Sequence, residues 1–180
     1  FHDVIKYSSN IGTAKAAQRL SPDELYRYIR AFGFGRKTGI DVPGEINGLL
    51  RPPATWSKLS PYIIPIGQEV AATPIQLSVM TAVVANGGLR VRPHVVDRIQ
   101  TADGRVVRAS GGEDPIRVIS PKTAEIMQTI LRSVVESGTG QLANVQGLTV
   151  AGKTGTAQKL EPLTGRYSHS RYIASFVGYG

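Results

Sequence analysis

One segment of the chain indicates both a fold and a chemistry, and it reads Leu148-Thr149-Val150-Ala151-Gly152-Lys153-Thr154-Gly155-Thr156-Ala157-Gln158. Leu148 and Val150 alternate at the period of a half-buried strand, and the β-branched threonines suit a pleated surface. The two glycines leave room for another backbone or a ligand to come close. A strand with a lysine, two hydroxyl groups and open backbone side by side is suited to holding an anion. An ordinary surface hairpin with one lysine fits the same letters.

Composition and charge narrow the class of protein. The chain has 180 residues, enough to bury a core, and its 21 Lys and Arg against 13 Asp and Glu give a net charge of +8. The basic residues are scattered and lack the aromatic interleaving that stacks bases, so nucleic-acid binding is a weak alternative, and an anionic substrate explains the sign of the charge as well. The absence of cysteine excludes disulfides and thiolate metal sites.

Both ends of the chain suggest a piece of something larger. It begins at Phe1 without a methionine and stops at Gly180 directly after an apolar, strand-like run. A final strand of that kind would expose an unpaired edge. We therefore expect missing sequence on both sides and interpret residues 1–180 as a single partial domain, truncated at both ends. No apolar run is long enough to span a bilayer, so a membrane anchor is expected outside this stretch.

Capping residues and apolar spacing predict four helices. They cover residues 13–20, then a helix from Pro22 that stops at Gly33, one from Pro74 that ends at Asn86, and one from Pro121 that ends at Ser137. The last three helices carry apolar residues predicted to face inward, namely Leu25, Tyr28, Ile29, Phe32, Leu77, Met80, Val83, Val84, Ile126, Met127, Ile130, Leu131 and Val134.

The remaining segments indicate turns and antiparallel strands. Residues 33–65 are rich in Gly and Pro and predict a long, turn-containing connection. Residues 90–100 and 105–108 predict two strands joined near Asp103-Gly104, and residues 172–179 predict a strand antiparallel to the opening segment after a loop at 163–169. The fold class is therefore α+β, with helices packed on a mostly antiparallel sheet.

Two short patterns stand together in this chain. Ser8-Ser9-Asn10 lies at a loop-to-helix junction, where a serine or asparagine could simply cap the helix, and Lys153-Thr154-Gly155 lies in the predicted strand. Lys-Thr-Gly also occurs at residues 37–39, in a turn-rich stretch where the glycine serves the turn, so only the second copy has a strand context. The two patterns accompany a Ser-x-x-Lys nucleophile in penicillin-binding proteins and serine β-lactamases. No serine of this chain has a lysine three positions on.

Longer segments extend this resemblance along nearly the whole chain in the correct order. The first group is Tyr7-Ser8-Ser9-Asn10-Ile11-Gly12, Gly33-Phe34-Gly35-Arg36-Lys37-Thr38-Gly39-Ile40-Asp41-Val42-Pro43-Gly44-Glu45, Ile66-Gly67-Gln68, Thr73-Pro74-Ile75-Gln76-Leu77 and Ala85-Asn86-Gly87-Gly88. These segments resemble the transpeptidase domain of class B penicillin-binding proteins. The segments at 138–140, 150–159 and 172–178 are similar to its division-specific branch.

The resemblance implies a peptidoglycan D,D-transpeptidase that cross-links the cell wall through a serine acyl-enzyme on D-Ala-D-Ala stem peptides. Its catalytic serine and lysine would precede Phe1, so the 180 residues alone are expected to be inactive. Ser8 would relay a proton, and Asn10 would bind both the substrate backbone and the catalytic lysine. Lys153 would supply a fixed positive charge, and the backbone N–H of Thr156 would form half of an oxyanion hole.

The same resemblance implies the substrate contacts and the partners. Thr154, Gly155 and Thr156 would bind the terminal carboxylate of the substrate. Expected ligands and partners are stem peptides, β-lactam antibiotics, a membrane glycosyltransferase and other cell-wall synthesis proteins, at the periplasmic or extracytoplasmic face of the bacterial inner membrane. A role in cell division or cell shape is implied, with no cofactor and no nucleic acid.

Other residues and functions stay open. His2, His94 and His169 have no ligand spacing, which argues against a metal site. Tyr167, Ser168 and His169 could contact an acceptor peptide, although a solvated hairpin tip is the simpler reading. The alternative functions are a D,D-carboxypeptidase or β-lactamase of the same superfamily, a penicillin-recognising sensor or scaffold without turnover, and a basic polyanion-binding module.

Overall fold

A computed structural model of the chain describes residues 1–110, 114–161, 165 and 167–180. The helices are α1 His2–Lys6, α2 Asn10–Ala17, α3 Pro22–Ala31, α4 Ser60–Ile63, α5 Pro74–Ala85 and α6 Pro121–Ser137. The strands are β1 Leu49–Leu50, β2 Val70–Ala71, β3 Leu89–Arg90, β4 Arg98–Gln100, β5 Val106–Ala109, β6 Ile116–Arg117, β7 Ala151–Leu160 and β8 Tyr167–Tyr179. Single 3-10 turns occur at Pro53–Thr55, Ile64–Ile66 and Gln141–Ala143.

The chain divides into two compact units. The first unit contains Phe1–Ser21, Trp56–Glu69 and Ile126–Gly180, and the second unit contains Pro22–Thr55 and Val70–Glu125. Helices and antiparallel strand pairs occur in both, which agrees with the predicted α+β class. The expectation that residues 1–180 form a single partial domain remains a prediction.

Three predicted helices form close to their expected bounds, and their caps explain why. The Thr73 hydroxyl accepts a hydrogen bond from the backbone N–H of Gln76, whose side chain accepts one from the backbone N–H of Thr73, so α5 begins with a complete capping box. Pro22 and Pro121 occupy the first positions of α3 and α6, where a missing N–H costs nothing. The first predicted helix corresponds to α2, which begins at Asn10, three residues earlier than predicted.

The buried core differs from the prediction at individual positions. Ile130 and Val134 on α6 are buried as predicted, whereas Ile126 on the same helix is 49% exposed and Tyr28 on α3 is 45% exposed. Val79 and Val135 are buried although the apolar spacing did not single them out. Periodicity marks the apolar face of a helix, but it does not tell how far along the helix a partner covers that face.

The long hairpin of β7 and β8 dominates the first unit. Its antiparallel register pairs Lys153 with Val177 and Thr156 with Ala174, as expected for a strand returning beside the Lys-Thr-Gly segment. The strand begins at Ala151, so the prediction was wrong for Leu148, which is 61% exposed. Gly152 is required here because a Cβ atom would collide with the Phe176 ring across the pair.

Two other strand predictions need correction. Residues 90–100 are not one strand, because β3 pairs with β6 while a separate strand, β4, forms the predicted hairpin with β5 around Gly104. The predicted loop at 163–169 is wrong from Tyr167 onward, where β8 already begins. Residues 163, 164 and 166 of that loop lie outside the described residues. Within the described ranges, no helix has the length and apolar character needed to cross a bilayer.

Two isoleucines on α6 provide a matched test of the core. The Ile130 side chain is only 4% exposed. Ile130→Ala should therefore lower the free energy of unfolding by about 2–5 kcal/mol, because it leaves a cavity in the core. Ile126→Ala, the same change one turn earlier, should cost less than about 0.5 kcal/mol because surface changes usually do. Urea unfolding measures both, and equal losses would contradict the assignment of the buried face.

Candidate active site

Ser8 and Lys153, which lie 145 residues apart in the sequence, are joined by a hydrogen bond in the first unit. The Lys153 Nζ atom donates to the Ser8 Oγ atom at 2.9 Å and to the Thr154 carbonyl oxygen at 2.9 Å. Two separate sequence patterns, one at a helix junction and one on a strand, therefore meet at a single pair of atoms.

The backbone around Ser8 is unusual and explains how the junction presents its side chains. Ser8 has a φ of 56°, in the left-handed region that non-glycine residues seldom occupy. It lies between α1, which ends at Lys6, and α2, whose N-cap is Ser9. The Ser9 hydroxyl accepts a hydrogen bond from the Gly12 N–H at 3.1 Å. Capping is thus the role of Ser9, which leaves the Ser8 hydroxyl to Lys153.

Burial changes the acid–base behaviour of Lys153. Its side chain is half-buried, and loss of hydration lowers the pKa of its ammonium group because the charged form is the one that water stabilises. Its three described partners are the Ser8 hydroxyl, the Thr154 carbonyl and, at 3.4 Å, the Thr154 hydroxyl, all of which are neutral and leave its positive charge uncancelled.

A cavity of about 230 Å³ lies in the same unit and contains two of the predicted site residues. Asn10, the first residue of α2, and Thr156 on β7 both line it. Its other lining residues come from the loop before β2 and from the β7–β8 hairpin: Ile66, Gly67, Gln68, Ala157, Gln158, Tyr167 and Tyr172. The cavity gives the site a concave, mixed polar and aromatic wall, which is typical of a ligand site.

The remaining predicted residues lie on β7 between these two features. The Thr154 hydroxyl is 3.0 Å from the Thr139 hydroxyl. Gly155 is in close contact with β8, because an added Cβ would come within 2.6 Å of the Ser175 Oγ atom. The structure therefore brings Ser8, Asn10 and the Lys153–Thr156 segment into one unit, while the catalytic roles assigned to them remain predictions. Among the described residues, no cluster of His, Asp and Glu is arranged to hold a metal ion.

The Lys-Thr-Gly copy at residues 37–39 binds a carboxylate of the chain itself. The N–H and the hydroxyl of Thr38 each donate to the Glu45 Oε1 atom at 2.5 Å, and the Gly39 N–H donates to Oε2 at 3.0 Å. Burial alone would raise the pKa of Glu45, but these hydrogen bonds outweigh it and lower the pKa. This copy therefore lies in a turn, as its Gly- and Pro-rich context predicted. The turn is held by hydrogen bonds to the Glu45 carboxylate.

A polar network behind the cavity was not predicted. The Ser60 hydroxyl, fully buried, donates to the Glu69 Oε2 atom at 2.7 Å, and the Glu69 N–H donates to the Tyr167 hydroxyl oxygen at 3.1 Å. Glu69 itself has a φ of 59°. The hairpin-tip reading is wrong for Tyr167, which is bonded to this loop, and for Ser168, which is 2% exposed. The side chain of His169 lies outside the described residues.

The same network positions a pair of glutamines at the cavity. The Gln68 Nε2 atom donates to the Gln158 Oε1 atom at 3.4 Å, and the Gln158 Nε2 atom donates to the Ser168 carbonyl oxygen at 3.0 Å. Gln68 belongs to a segment that supports the family resemblance, but the local sequence gives no reason to expect its side chain beside β7. Such long-range pairs become visible only in three dimensions.

Comparison with known proteins identifies the family of the chain. The family model described as the penicillin binding protein transpeptidase domain matches residues 1–180. The chain belongs to this family, and the resemblance drawn from its motifs is confirmed.

Individual relatives extend the comparison. The penicillin-binding protein PbpB of Mycolicibacterium smegmatis is 42% identical over 182 residues, which cover 97% of this chain and 28% of the relative. Stage V sporulation protein D of Bacillus subtilis is 36% identical over 178 residues, covering 98% of this chain and 27% of the relative. The chain thus spans less than a third of the length of these two relatives.

Solved structures confirm the predicted fold. A crystal structure of penicillin-binding protein 3 from Mycobacterium tuberculosis, complexed with ampicillin, superposes with a TM-score of 0.93 at 38% sequence identity. The match covers 98% of this chain and 40% of that chain. An apo transpeptidase domain from Burkholderia pseudomallei penicillin-binding protein 3 matches with a TM-score of 0.84 at 31% identity, covering 99% of this chain and 51% of that one.

The burial of Lys153 predicts a measurable titration. Its ammonium group should lose a proton at lower pH than a free lysine, because burial disfavours the charge. NMR of the chain with ¹³C-labelled lysine measures the midpoint, and the signal absent from Lys153→Arg identifies the residue. Since the unfolded chain would hold this proton more tightly, the free energy of unfolding should rise with pH between the folded and the unfolded pKa. A midpoint at the ordinary lysine value would contradict the prediction.

Proposed function

We propose that the protein is a peptidoglycan D,D-transpeptidase that cross-links stem peptides through a serine acyl-enzyme and is inhibited by β-lactams. The observation that carries this proposal is the hydrogen bond from Lys153 to Ser8, together with Asn10 and Thr156 on one adjoining cavity wall. The Ser-x-x-Lys nucleophile of the family is not among these 180 residues, so the proposal concerns the full-length protein.

Lys153 would bind the terminal carboxylate of the substrate. An ammonium group paired with a carboxylate makes a charge-assisted hydrogen bond, which is stronger than a neutral one. Because Lys153 is half-buried, fewer water molecules compete with the carboxylate for its ammonium group. Thr154, Gly155 and Thr156 would complete this subsite with their hydroxyl groups and open backbone. The net charge of +8 favours the approach of such an anion.

Ser8 would transfer the proton that the chemistry requires. Its Oγ atom accepts a hydrogen bond from Lys153, so its own O–H is directed to another acceptor. A proton from the attacking serine would pass through this hydroxyl to the D-alanine amine as the acyl bond forms and the peptide bond breaks. The positive Lys153 beside it would lower the pKa of the family's catalytic lysine and keep that lysine able to accept a proton.

Asn10 and Thr156 would hold the reacting group. The Asn10 amide offers both a donor and an acceptor to a peptide backbone, and it lines the cavity with Thr156. The Thr156 N–H would be one of two donors to the oxyanion of the tetrahedral intermediate, and the loss of one such donor typically costs about 2.7–4 kcal/mol of transition-state stabilisation.

Location and partners follow from the proposed substrate. The related M. tuberculosis protein has been crystallised with ampicillin and with aztreonam, which supports β-lactam binding here. Peptidoglycan lies outside the cytoplasmic membrane, so we place the protein at the periplasmic or extracytoplasmic face, with a glycosyltransferase and other cell-wall synthesis proteins as partners. The names PbpB and stage V sporulation protein D among its relatives support a role in division-type wall synthesis.

Labelling with a fluorescent penicillin tests this proposal. The full-length protein should be labelled covalently, and the 180-residue chain alone should not. Lys153→Ala should slow acylation of the full-length protein on the order of 10- to 100-fold, because it removes a charged hydrogen bond worth roughly 1.5–3 kcal/mol. Lys159→Ala, an exposed lysine on the same strand, provides the matched control.

Each outcome of the labelling experiment is informative. A full-length protein that is not labelled would refute the proposed function, and labelling of the 180-residue chain would refute the requirement for a separate Ser-x-x-Lys segment. Deacylation with and without an amine acceptor then separates a transpeptidase from a carboxypeptidase or β-lactamase. An acyl-enzyme that is released neither by water nor by the amine would indicate a sensor.

Neighbouring serines separate catalysis from capping. Ser8→Ala should slow acylation roughly 10²–10⁴-fold through the loss of proton transfer, with little change in the free energy of unfolding. Ser9→Ala should lower the free energy of unfolding by about 0.5–2 kcal/mol through the loss of the α2 cap, while acylation is retained. Stopped-flow acylation and urea unfolding measure the two effects, and a reversal would exclude Ser8 as the relay.

A further inference from the structure

The segment that follows α6 reaches the candidate site through Thr139, a residue to which the proposed chemistry gives no role. The backbone N–H of Thr139 donates to the Lys6 carbonyl at 3.3 Å, at the end of α1. Its hydroxyl lies 3.0 Å from the hydroxyl of Thr154 on β7. Thr139 therefore contacts both the helix that precedes Ser8 and the residue that follows Lys153.

The backbone on either side of Thr139 is held in place. The N–H groups of Gly138 and Gly140 both donate to the Val134 carbonyl, at 3.1 and 2.9 Å, and so satisfy an acceptor in the last turn of α6. The Val134 side chain is fully buried. Gly138 has no space for a side chain, because an added Cβ atom would lie 2.7 Å from the Lys6 carbonyl oxygen. The end of α6 thus packs directly against the end of α1 and fixes the position of Thr139.

The donor and acceptor roles of the two threonine hydroxyls follow from the number of their protons. A threonine hydroxyl has one O–H donor and two acceptor lone pairs. The Lys153 ammonium can only donate, and at 3.4 Å it occupies one lone pair of the Thr154 Oγ1 atom. A carboxylate can only accept, and its charge makes it a stronger acceptor than the Thr139 hydroxyl. When a carboxylate takes the single O–H of Thr154, the contact with Thr139 must be one in which Thr139 donates.

This arrangement prepares the Thr154 hydroxyl for its ligand. Hydrogen bonds in a chain polarise one another, so donation from Lys153 and from Thr139 strengthens the bond that Thr154 makes onward. The same two contacts restrict rotation of the Thr154 side chain, which reduces the entropic cost of binding. The hydroxyl is therefore oriented before the carboxylate arrives.

We propose that Thr139 is a positioning residue of the carboxylate subsite, the group formed by Lys153 and residues 154–156. Thr139 acts through Thr154, whose O–H it leaves available for the terminal carboxylate of the stem peptide. The carboxylate subsite belongs to the proposed function, on which this inference therefore rests. No proton of the acyl transfer passes through Thr139, so its loss should slow only reactions in which the ligand carries the anion.

Acylation of the full-length protein by benzylpenicillin and by its methyl ester tests the inference. The two compounds share the same β-lactam ring, but only the acid presents a carboxylate. Thr139→Val keeps the shape of the side chain and removes the hydroxyl. It should lower the second-order rate constant for the acid about 2- to 10-fold, the range of one neutral hydrogen bond, and leave that for the ester unchanged. Thr139→Ser should restore the reaction with the acid. Stopped-flow measurements give both rate constants.

Two further variants control this experiment. Thr149→Val makes the same change at an exposed threonine just before β7 and should leave both rate constants unchanged. Thr139→Val added to Thr154→Val should cause no additional loss, since the effect acts through Thr154. The Thr139 side chain is exposed, so the valine should not disturb folding. If circular dichroism shows that it does, Thr139→Ala decides the question.

Three results would overturn the inference. They are an unchanged reaction of Thr139→Val with the acid, equal slowing with the acid and the ester, and a further loss when Thr139→Val is added to Thr154→Val. Each of them differs from a failure of the proposed function, in which the unsubstituted full-length protein is not acylated by the penicillin at all.

Discussion

The hydrogen bond between the Lys153 ammonium and the Ser8 hydroxyl is the contact on which the candidate site depends. It joins a strand of the β7–β8 hairpin to the junction between α1 and α2. Because Ser9 satisfies the first turn of α2, the Ser8 side chain is not needed as a cap. On either side of this contact, Ser8 has a left-handed backbone conformation, and Gly152, next to Lys153, packs closely against β8.

The two Lys-Thr-Gly copies show how context determines the chemistry of a short motif. At Thr38 and Gly39 the hydroxyl and backbone N–H groups already hold the carboxylate of Glu45. On β7 the hydroxyl of Thr154 lies 3.0 Å from the Thr139 hydroxyl and accepts a hydrogen bond from the Lys153 ammonium at 3.4 Å, and the described partners of Lys153 are neutral oxygens. The same three residue types therefore close a turn in one unit and form a candidate subsite for an external anion in the other.

Much of the local structure could be predicted, because it depends on neighbours in the chain. Capping and proline positions gave α3, α5 and α6 nearly at their observed bounds, and the return of β8 beside β7 followed from alternation. Prediction failed where distant partners decide the outcome. Ile126 is exposed and Ile130 buried on one apolar face, and β3 pairs with β6, beyond the hairpin between them. Neither fact is encoded in a local pattern.

The sequence by itself determined the family, the α+β class and the candidate residues at Ser8, Asn10 and Lys153–Thr156, since motif spacing and order carry that information. Only the tertiary structure showed which serine caps and which meets Lys153. It also placed Gln68 beside Gln158 and put Asn10 and Thr156 on the wall of one cavity. These contacts join residues far apart in the chain, so they depend on how the backbone packs, and no local preference specifies them.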